Sequence, residues 1–310
     1  MENCTRITQS ILMGFQGDSE LQLGLCFLFL LLYIITLMGN IGMITLITVD
    51  AQLHSPMYYF LKNLSFLDIC YSSVITPKAM LNFATRNKGI SYNECAIQMF
   101  FFSLFGTTEC FFLAVMAYDR FSAICNPLLY HTTMSKKICA LLVAVSYFFG
   151  FLNCCTQTGF TFSLPYCESG EVNQFFCDVP AVFHASHVNT FVNEIVLLLM
   201  CGFIILVTAT IVLISYGYIV ATVLHIPSVQ GRHKAFSTCT SHIMAVTLFY
   251  GSAFFMYGQP GAMTSPNQGK VVSVFYTIVI PMLNPLIYSL RNKDVKDALW
   301  RQLKRMSLFP

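Results

Sequence analysis

Residues 25–49 read LCFLFLLLYIITLMGNIGMITLITV, 25 residues without a charged side chain. A helix rising about 1.5 Å per residue crosses the roughly 30 Å hydrocarbon core of a bilayer in about 20 residues, so this run is long enough to span. Six more apolar runs follow at 56–77, 99–125, 138–160, 195–224, 236–257 and 271–290. The second and third are the least clean, because Lys62, Asp68 and Glu109 interrupt them. Of the 310 residues 56% are apolar and only 10% charged, where soluble chains carry about 25% charged residues. So few charges cannot cover so much apolar surface, and lipid has to act as part of the solvent. The pattern predicts an all-α membrane protein: a seven-transmembrane helix bundle, one domain over residues 1–310, with a short amphipathic cytoplasmic helix at its end.

An odd number of spans puts the termini on opposite sides, and the positive-inside rule orients them. With the amino terminus outside, the cytoplasmic side holds Lys62, Arg120, Lys136, Lys137, Arg232, Lys234, Arg291, Lys293, Lys296, Arg301, Lys304 and Arg305. The outer side keeps Arg6, Lys78, Arg86, Lys88 and Lys270. Residues 1–24 are then extracellular, 25–290 form the bundle and 291–310 are a cytoplasmic tail. No cleavable signal peptide is expected ahead of the first run, which would itself target the chain to the membrane. In the tail Val295, Leu299, Leu303 and Met306 share one helical face. Lys296, Arg301, Lys304 and Arg305 surround it, a pattern suited to anionic lipid. A net charge of +3 without a basic stripe gives no reason to expect nucleic acid.

Most of the 13 cysteines fall inside predicted helices, where cysteine serves as a small apolar residue. Cys4, Cys95, Cys167 and Cys177 face the oxidising side. Cys95 opens the third helix and Cys177 lies in the long acidic outer segment 161–194. A bridge between them would pin that segment over the bundle as a lid; unpaired thiols are the alternative. Asn3-Cys4-Thr5 is a glycosylation sequon on the outer tail, whereas Asn63-Leu64-Ser65 sits in a membrane helix and should stay bare.

Three stretches say more than hydropathy does. Met116-Ala117-Tyr118-Asp119-Arg120 closes the third helix at its cytoplasmic end, and an Asp–Arg pair buried there suits a conformational lock. Pro281-Met282-Leu283-Asn284-Pro285-Leu286-Ile287-Tyr288 loosens the seventh helix, because two prolines remove backbone donors and Asn284 can reach a freed carbonyl. Lys234-Ala235-Phe236-Ser237-Thr238-Cys239-Thr240-Ser241-His242 enters the sixth helix from the cytoplasm.

With these motifs the chain resembles the vertebrate odorant receptors within the rhodopsin-like G-protein-coupled receptors. Gly39-Asn40, Leu53-His54-Ser55-Pro56-Met57-Tyr58, Leu64-Ser65, Asp68, residues 116–130, Ser215-Tyr216, Phe249-Tyr250-Gly251 and residues 281–292 carry the resemblance, which covers essentially the whole chain. The short amino terminus and outer-loop pattern look like class II, the larger, tetrapod-type class. Two departures stand out. Phe121 and Ser122 replace the family's usual Tyr and Val after Asp-Arg, and His187 stands where a third outer-loop cysteine is usual, which leaves Cys167 without its customary partner.

The resemblance implies roles for the buried polar groups. Asp68 and Glu109, two acids within the bilayer, match a sodium pocket completed by Asn40 and Asn284; the alternative is one protonated, hydrogen-bonded acid and no ion. No other cofactor is implied. By the family's layout a ligand cavity lies in the outer half, lined by Phe102, Ser103, Gly106 and Thr107 on the third helix and by Met200, Cys201 and Ile204 on the fifth. Ala253 and Tyr257 would join from the sixth helix, Val274 and Thr277 from the seventh. Such a wall suits a small, mostly apolar volatile held by shape and dispersion. No acid sits near the outer end of the third helix, which argues against a cationic amine ligand. Tyr250, below the cavity, is the candidate to feel the ligand, and Asp119, Arg120, Tyr216, His242, Asn284, Pro285 and Tyr288 form the switch. The implied partner is a stimulatory-type heterotrimeric G protein that raises cyclic AMP, at the plasma membrane and, by family, on the cilia of olfactory neurons. A same-family receptor outside the nose tuned to a metabolite is the nearest alternative. A transporter or channel would show repeated halves, which are not visible. An enzyme is not expected, since His184 and His187 sit in an outer loop and the histidines at 131, 225 and 233 are scattered.

Overall fold

The computed structural model describes residues 9–85, 88–164, 171–186, 189–257 and 266–307. Six long helices come first: α1 (Ser19–Val49), α2 (Pro56–Ala84), α3 (Tyr92–Cys125), α4 (Lys136–Phe162), α5 (Phe191–Leu224) and α6 (Val229–Tyr257). The seventh, α7, runs through Pro266–Val274, a π turn at Phe275–Val279 and Ile280–Arg291, and α8 (Lys293–Ser307) follows it. Most helices outrun the apolar stretches that announce them because polar residues cap them. Asp18 accepts the Leu21 amide at 3.0 Å and starts α1 ahead of residue 25. Ser91 and Glu94 bond reciprocally at the start of α3. Pro56 occupies the first turn of α2, where its missing N–H costs nothing.

Among the described residues five helices are long and apolar enough to cross a membrane, α1, α3, α4, α5 and Gly269–Ser289 of α7. The other two are hidden from hydropathy for physical reasons. Helix α2 carries Lys62, Asp68 and Lys78, and many of its side chains, Leu64, Leu67 and Asp68 among them, are fully buried against neighbouring helices. Helix α6 begins with a polar first third, leaving only Cys239–Phe255 apolar.

Helix α7 shows what its prolines do. Pro285 has no N–H to offer the carbonyl of Pro281, one turn earlier. The Asn40 side chain takes that carbonyl instead, at 3.0 Å, while also donating to the Thr36 carbonyl. Asn284, expected to fill this role, points to Asp68. Gly39 makes the contact possible: a Cβ there would lie 3.0 Å from Cγ of Pro285.

At one end of the bundle the chain folds into a lid. Gln9–Leu12 (β1) pairs antiparallel with Gly89–Ser91 (β2) and parallel with Glu171–Val172 (β3). The disulfide Cys95–Cys177 ties the segment after β3 to α3, and Gln98 accepts the Cys177 amide at 2.8 Å while donating to the Val74 carbonyl of α2. Phe15 stacks on Phe175 at 6.0 Å, and Lys270 donates to the Gly14 carbonyl at 2.6 Å. The amino-terminal segment is therefore part of the lid, which its polar composition did not suggest. Asn3, Cys4, Cys167 and His187 lie outside the described residues.

At the other end α8 departs from its expected lipid face. Val295 is buried in the bundle core beside Ala298, and Leu299, Trp300 and Leu303 form the exposed apolar side. Arg301 is not free for lipid, because it bonds Asp50 through two nitrogens at 2.9 and 3.0 Å.

Overpacking at a tight helix crossing typically costs about 1–3 kcal/mol. Gly39→Val should therefore lower the melting temperature of purified protein by several degrees. Gly42→Val, where a Cβ meets open space, is the control. Equal losses in the two variants would contradict the α1–α7 contact.

Candidate functional site

Beneath the lid lies a chamber of about 100 Å³. Helix α3 supplies Phe102, Ser103, Gly106, Thr107 and Cys110; α5 supplies Leu197, Cys201, Ile204 and Ile205. Ala253 faces it from α6 with Phe249 and Ser252, and Tyr71 and Tyr276 close it from α2 and α7. Seven of the residues expected to line it do so: Phe102, Ser103, Gly106, Thr107, Cys201, Ile204 and Ala253. Met200, Val274 and Thr277 do not. Thr277 is fully buried and spends its hydroxyl on the Ser273 carbonyl at 2.6 Å; Val274 packs into the apolar core. The π turn in α7 rotates its side chains away from the register of a regular helix, so Tyr276 reaches the chamber instead. Tyr257 ends α6, and its side chain lies outside the described residues.

The unexpected wall is polar. Asn153 and Gln157 come from α4, and Asp178 with Val179 from the lid. Asn153 donates to Thr107 at 2.9 Å, which leaves its carbonyl oxygen buried without a partner. Asp178 is 2% exposed and sits beside Cys177, so the disulfide that anchors the lid also sets an acid over the chamber. Burial pushes its carboxyl up to about 7, against the pull of the Val179 amide and the Tyr276 hydroxyl. The expectation that no acid sits near the outer end of α3 fails, because Glu94 caps that end with Ser91, and Asp178 adds an acid from the lid. Loop residues give no helical periodicity, so only the position next to Cys177 could have signalled Asp178.

Below the chamber two α6 side chains bond to the backbone of α3. Tyr250 donates to the Cys110 carbonyl at 3.3 Å, and Nε2 of His242 lies 3.1 Å from the Leu113 carbonyl. A carbonyl can only accept, so Nε2 carries the proton. In the neutral ring Nδ1 is then the acceptor for the Tyr216 hydroxyl, 2.6 Å away. One histidine thereby ties α6 to α3 and α5.

Nearby, Asn284 donates to both carboxylate oxygens of Asp68, at 3.3 and 3.1 Å. Glu109, 1% exposed, has neither oxygen hydrogen-bonded, and the Asn40 carbonyl oxygen is likewise unpartnered. Of the four residues expected together, Asn284 bonds Asp68 and Glu109 lies close enough to interact with Asp68, while Asn40 bonds the Pro281 carbonyl three residues before Asn284.

At the end opposite the lid, Arg120 bonds Asp119 at 2.6 and 3.1 Å, and the Tyr130 hydroxyl donates to the other Asp119 oxygen at 2.8 Å. Asp119 is fully buried and Arg120 nearly so. Met57, Met116, Arg120, Ser241, His242, Tyr288 and Asn292 line a narrow cleft there, and the buried Tyr288 hydroxyl has no partner. Phe121 packs against Tyr118 and Tyr218 at 6.0 and 5.6 Å, so the ring substituted for the usual tyrosine is seated apolarly.

A lidded chamber at one end, an Asp–Arg cleft at the other and seven helices between them define a receptor of the rhodopsin fold. The solved structure titled "Crystal structure of squid rhodopsin" matches with a TM-score of 0.69 over 94% of this chain and 88% of that one, at 18% identity. A family profile described as "Olfactory receptor" matches residues 29–306. Human olfactory receptor OR9H1 is 56% identical over 99% of this chain and 100% of its own length. Mouse olfactory receptor 9S13 is 58% identical over 96% of this chain and 90% of its own. The chain belongs to the olfactory receptor family. It is a multi-pass membrane receptor and not an enzyme.

Proposed function

We propose that this receptor, of the tetrapod-type class II, holds a small, mostly apolar volatile in the lidded chamber and activates a stimulatory-type G protein at the Arg120 cleft, raising cyclic AMP. The lid then faces outward and the cleft and α8 face the cytoplasm, at the plasma membrane and, by family, on sensory cilia. The observation that carries this reading is the shared use of Cys110 and α6. Cys110 lines the chamber with its side chain and accepts the Tyr250 hydroxyl with its carbonyl, while Phe249, the neighbour of Tyr250, also faces the chamber. A ligand pressing on either residue acts on the bond that holds α6 to α3. Eight residues further toward the cleft, His242 lines the second cavity with Arg120. Outward movement of this end of α6 would widen the cleft for a partner, by shifting an equilibrium already present.

In cells carrying a cyclic-AMP reporter, a panel of small volatiles should raise the signal through wild-type receptor and not through Arg120→Ala at matched surface level. Tyr250→Phe should cut the response more than surface expression. Equal loss of both would assign Tyr250 to folding, and responses that survive Arg120→Ala would refute coupling through the cleft.

The unpartnered oxygens of Glu109, close to Asp68, and of Asn40 in the same helical core suit a small hard cation, and we propose sodium there. Oxygen donors are what such an ion takes, and its charge would offset two carboxylates in a dry interior. A ligand bound only by the folded state stabilises it by mass action. Replacing potassium with sodium should raise the melting temperature of purified wild type. Asp68→Asn and Glu109→Gln should each remove that increment. Identical melting of wild type in the two salts would favour a neutral acid and no ion.

A further inference from the structure

The α3, α5 and α6 sides of the chamber are mostly apolar, with the hydroxyls of Ser103, Thr107 and Ser252, but its roof carries an acid, and that acid is incompletely bonded. Asp178 belongs to the segment after β3 and begins the short helix Val179–His184. Its Oδ1 is buried with no hydrogen-bond partner, although the residue lines the chamber and is 2% exposed. None of the ion pairs among the described residues includes it. A buried polar atom left unbonded in the free protein carries an unmet desolvation cost, so any molecule that completes it gains. A second such atom, the Asn153 carbonyl oxygen, lies in the same wall on α4. The Asn153 amide oxygen is an acceptor, and so is the Asp178 carboxyl when ionised, so a donor on a bound molecule would complete both.

We infer that Asp178 is the polar anchor of the chamber and that the receptor selects small apolar molecules bearing one hydrogen-bond donor, a hydroxyl or a protonated amine, over the matching ether or carboxylate. This deepens the receptor reading and rests on it for the identity of the site. An alcohol donates to the carboxyl oxygen while its carbon skeleton fills the apolar remainder. An ether of the same shape fills the space but leaves Oδ1 unbonded, and a carboxylate brings a second negative charge to a dry acid. The ether and carboxylate are penalised by different mechanisms, which makes the pattern specific. Sites built around hydrogen-bonding groups discriminate against analogues lacking the partner far more strongly than apolar walls discriminate size. A chamber of about 100 Å³ suits a small skeleton.

The test uses full-length receptor and two skeletons, hexyl and benzyl, each as alcohol, methyl ether, amine and carboxylate. Cyclic-AMP responses are titrated in cells, and melting shifts are recorded on purified wild type, Asp178→Asn and Asp178→Ala. Preference for a donor is a ratio within one variant, so a fall in expression cancels. In wild type the alcohol or amine should act at roughly tenfold lower concentration than the ether, the equivalent of one charge-assisted hydrogen bond, with the carboxylate weakest. Asp178→Ala should bring the alcohol-to-ether ratio near one. Asp178→Asn keeps the acceptor and should keep the alcohol preference while losing any amine response, which separates the two donor classes. Ether equal to alcohol in wild type, an unchanged ratio in Asp178→Ala, a carboxylate as the best agonist, or silence of every compound in both measurements overturns the proposal. Donor-dependent melting shifts without cyclic AMP would refute the coupling reading and leave the anchor standing. Equal cyclic-AMP responses to ether and alcohol would do the reverse.

Discussion

Two hydrogen bonds from α6 to the backbone of α3, Tyr250 to the Cys110 carbonyl and His242 to the Leu113 carbonyl, hold the two ends of this receptor in register. Carbonyls inside a helix already accept from their own turn, so each spends its second lone pair on the neighbouring helix. Side-chain bonds between membrane helices average about 0.6 kcal/mol and reach about 1.7, because the partners find substitutes when separated. Two such bonds are strong enough to bias a resting arrangement and weak enough for a ligand to reverse. A fully apolar α3–α6 contact would offer no discrete alternative to switch to.

Helix α3 serves as the common axis. Its Cys95 end carries the lid and its middle lines the chamber. Glu109 follows in the polar core, and Asp119 with Arg120 closes the far end. Buried charges in a bilayer are costly, and two here are held by identifiable partners: Asp119 by Arg120 and Tyr130, Asp68 by Asn284. Among the described residues, Glu109 and Asp178 are the acids whose carboxyl groups still have an unbonded buried oxygen. They lie where the account places a cation and a ligand. The Asn40 and Pro281 contact, permitted by Gly39, fixes α7 so that Asn284 can face Asp68.

The helical architecture was legible in the sequence because a membrane span is written in consecutive residues. Even so, α2 reads poorly by hydropathy, since a helix buried inside the bundle can hold Asp68 and Lys62 without meeting lipid. Motifs carried the rest: Asp119-Arg120, His242 and the prolines of α7 all lie where their spacing implied. What stayed hidden was long-range or irregular. Asn153 and Gln157 look like ordinary polar residues of an apolar helix until α3 packs against them. The pairing of β1 with β2 and β3 joins segments far apart in sequence, and the Asp50–Arg301 pair links residues from opposite ends of the chain. The π turn shifted the lining of α7 from Val274 and Thr277 to Tyr276 because it breaks the period on which such readings depend.

In the proposed activation α6 separates from α3 at the cleft when the chamber is filled. Ile124 on α3 and Ala235 on α6 pack into one apolar cluster at that end. Spin labels at these two positions report their separation directly. An agonist, with G protein present, should move population from the short distance to a distinctly longer one, and Tyr250→Phe should alter that balance. A single short distance, unchanged by an agonist that demonstrably raises cyclic AMP, would contradict the account.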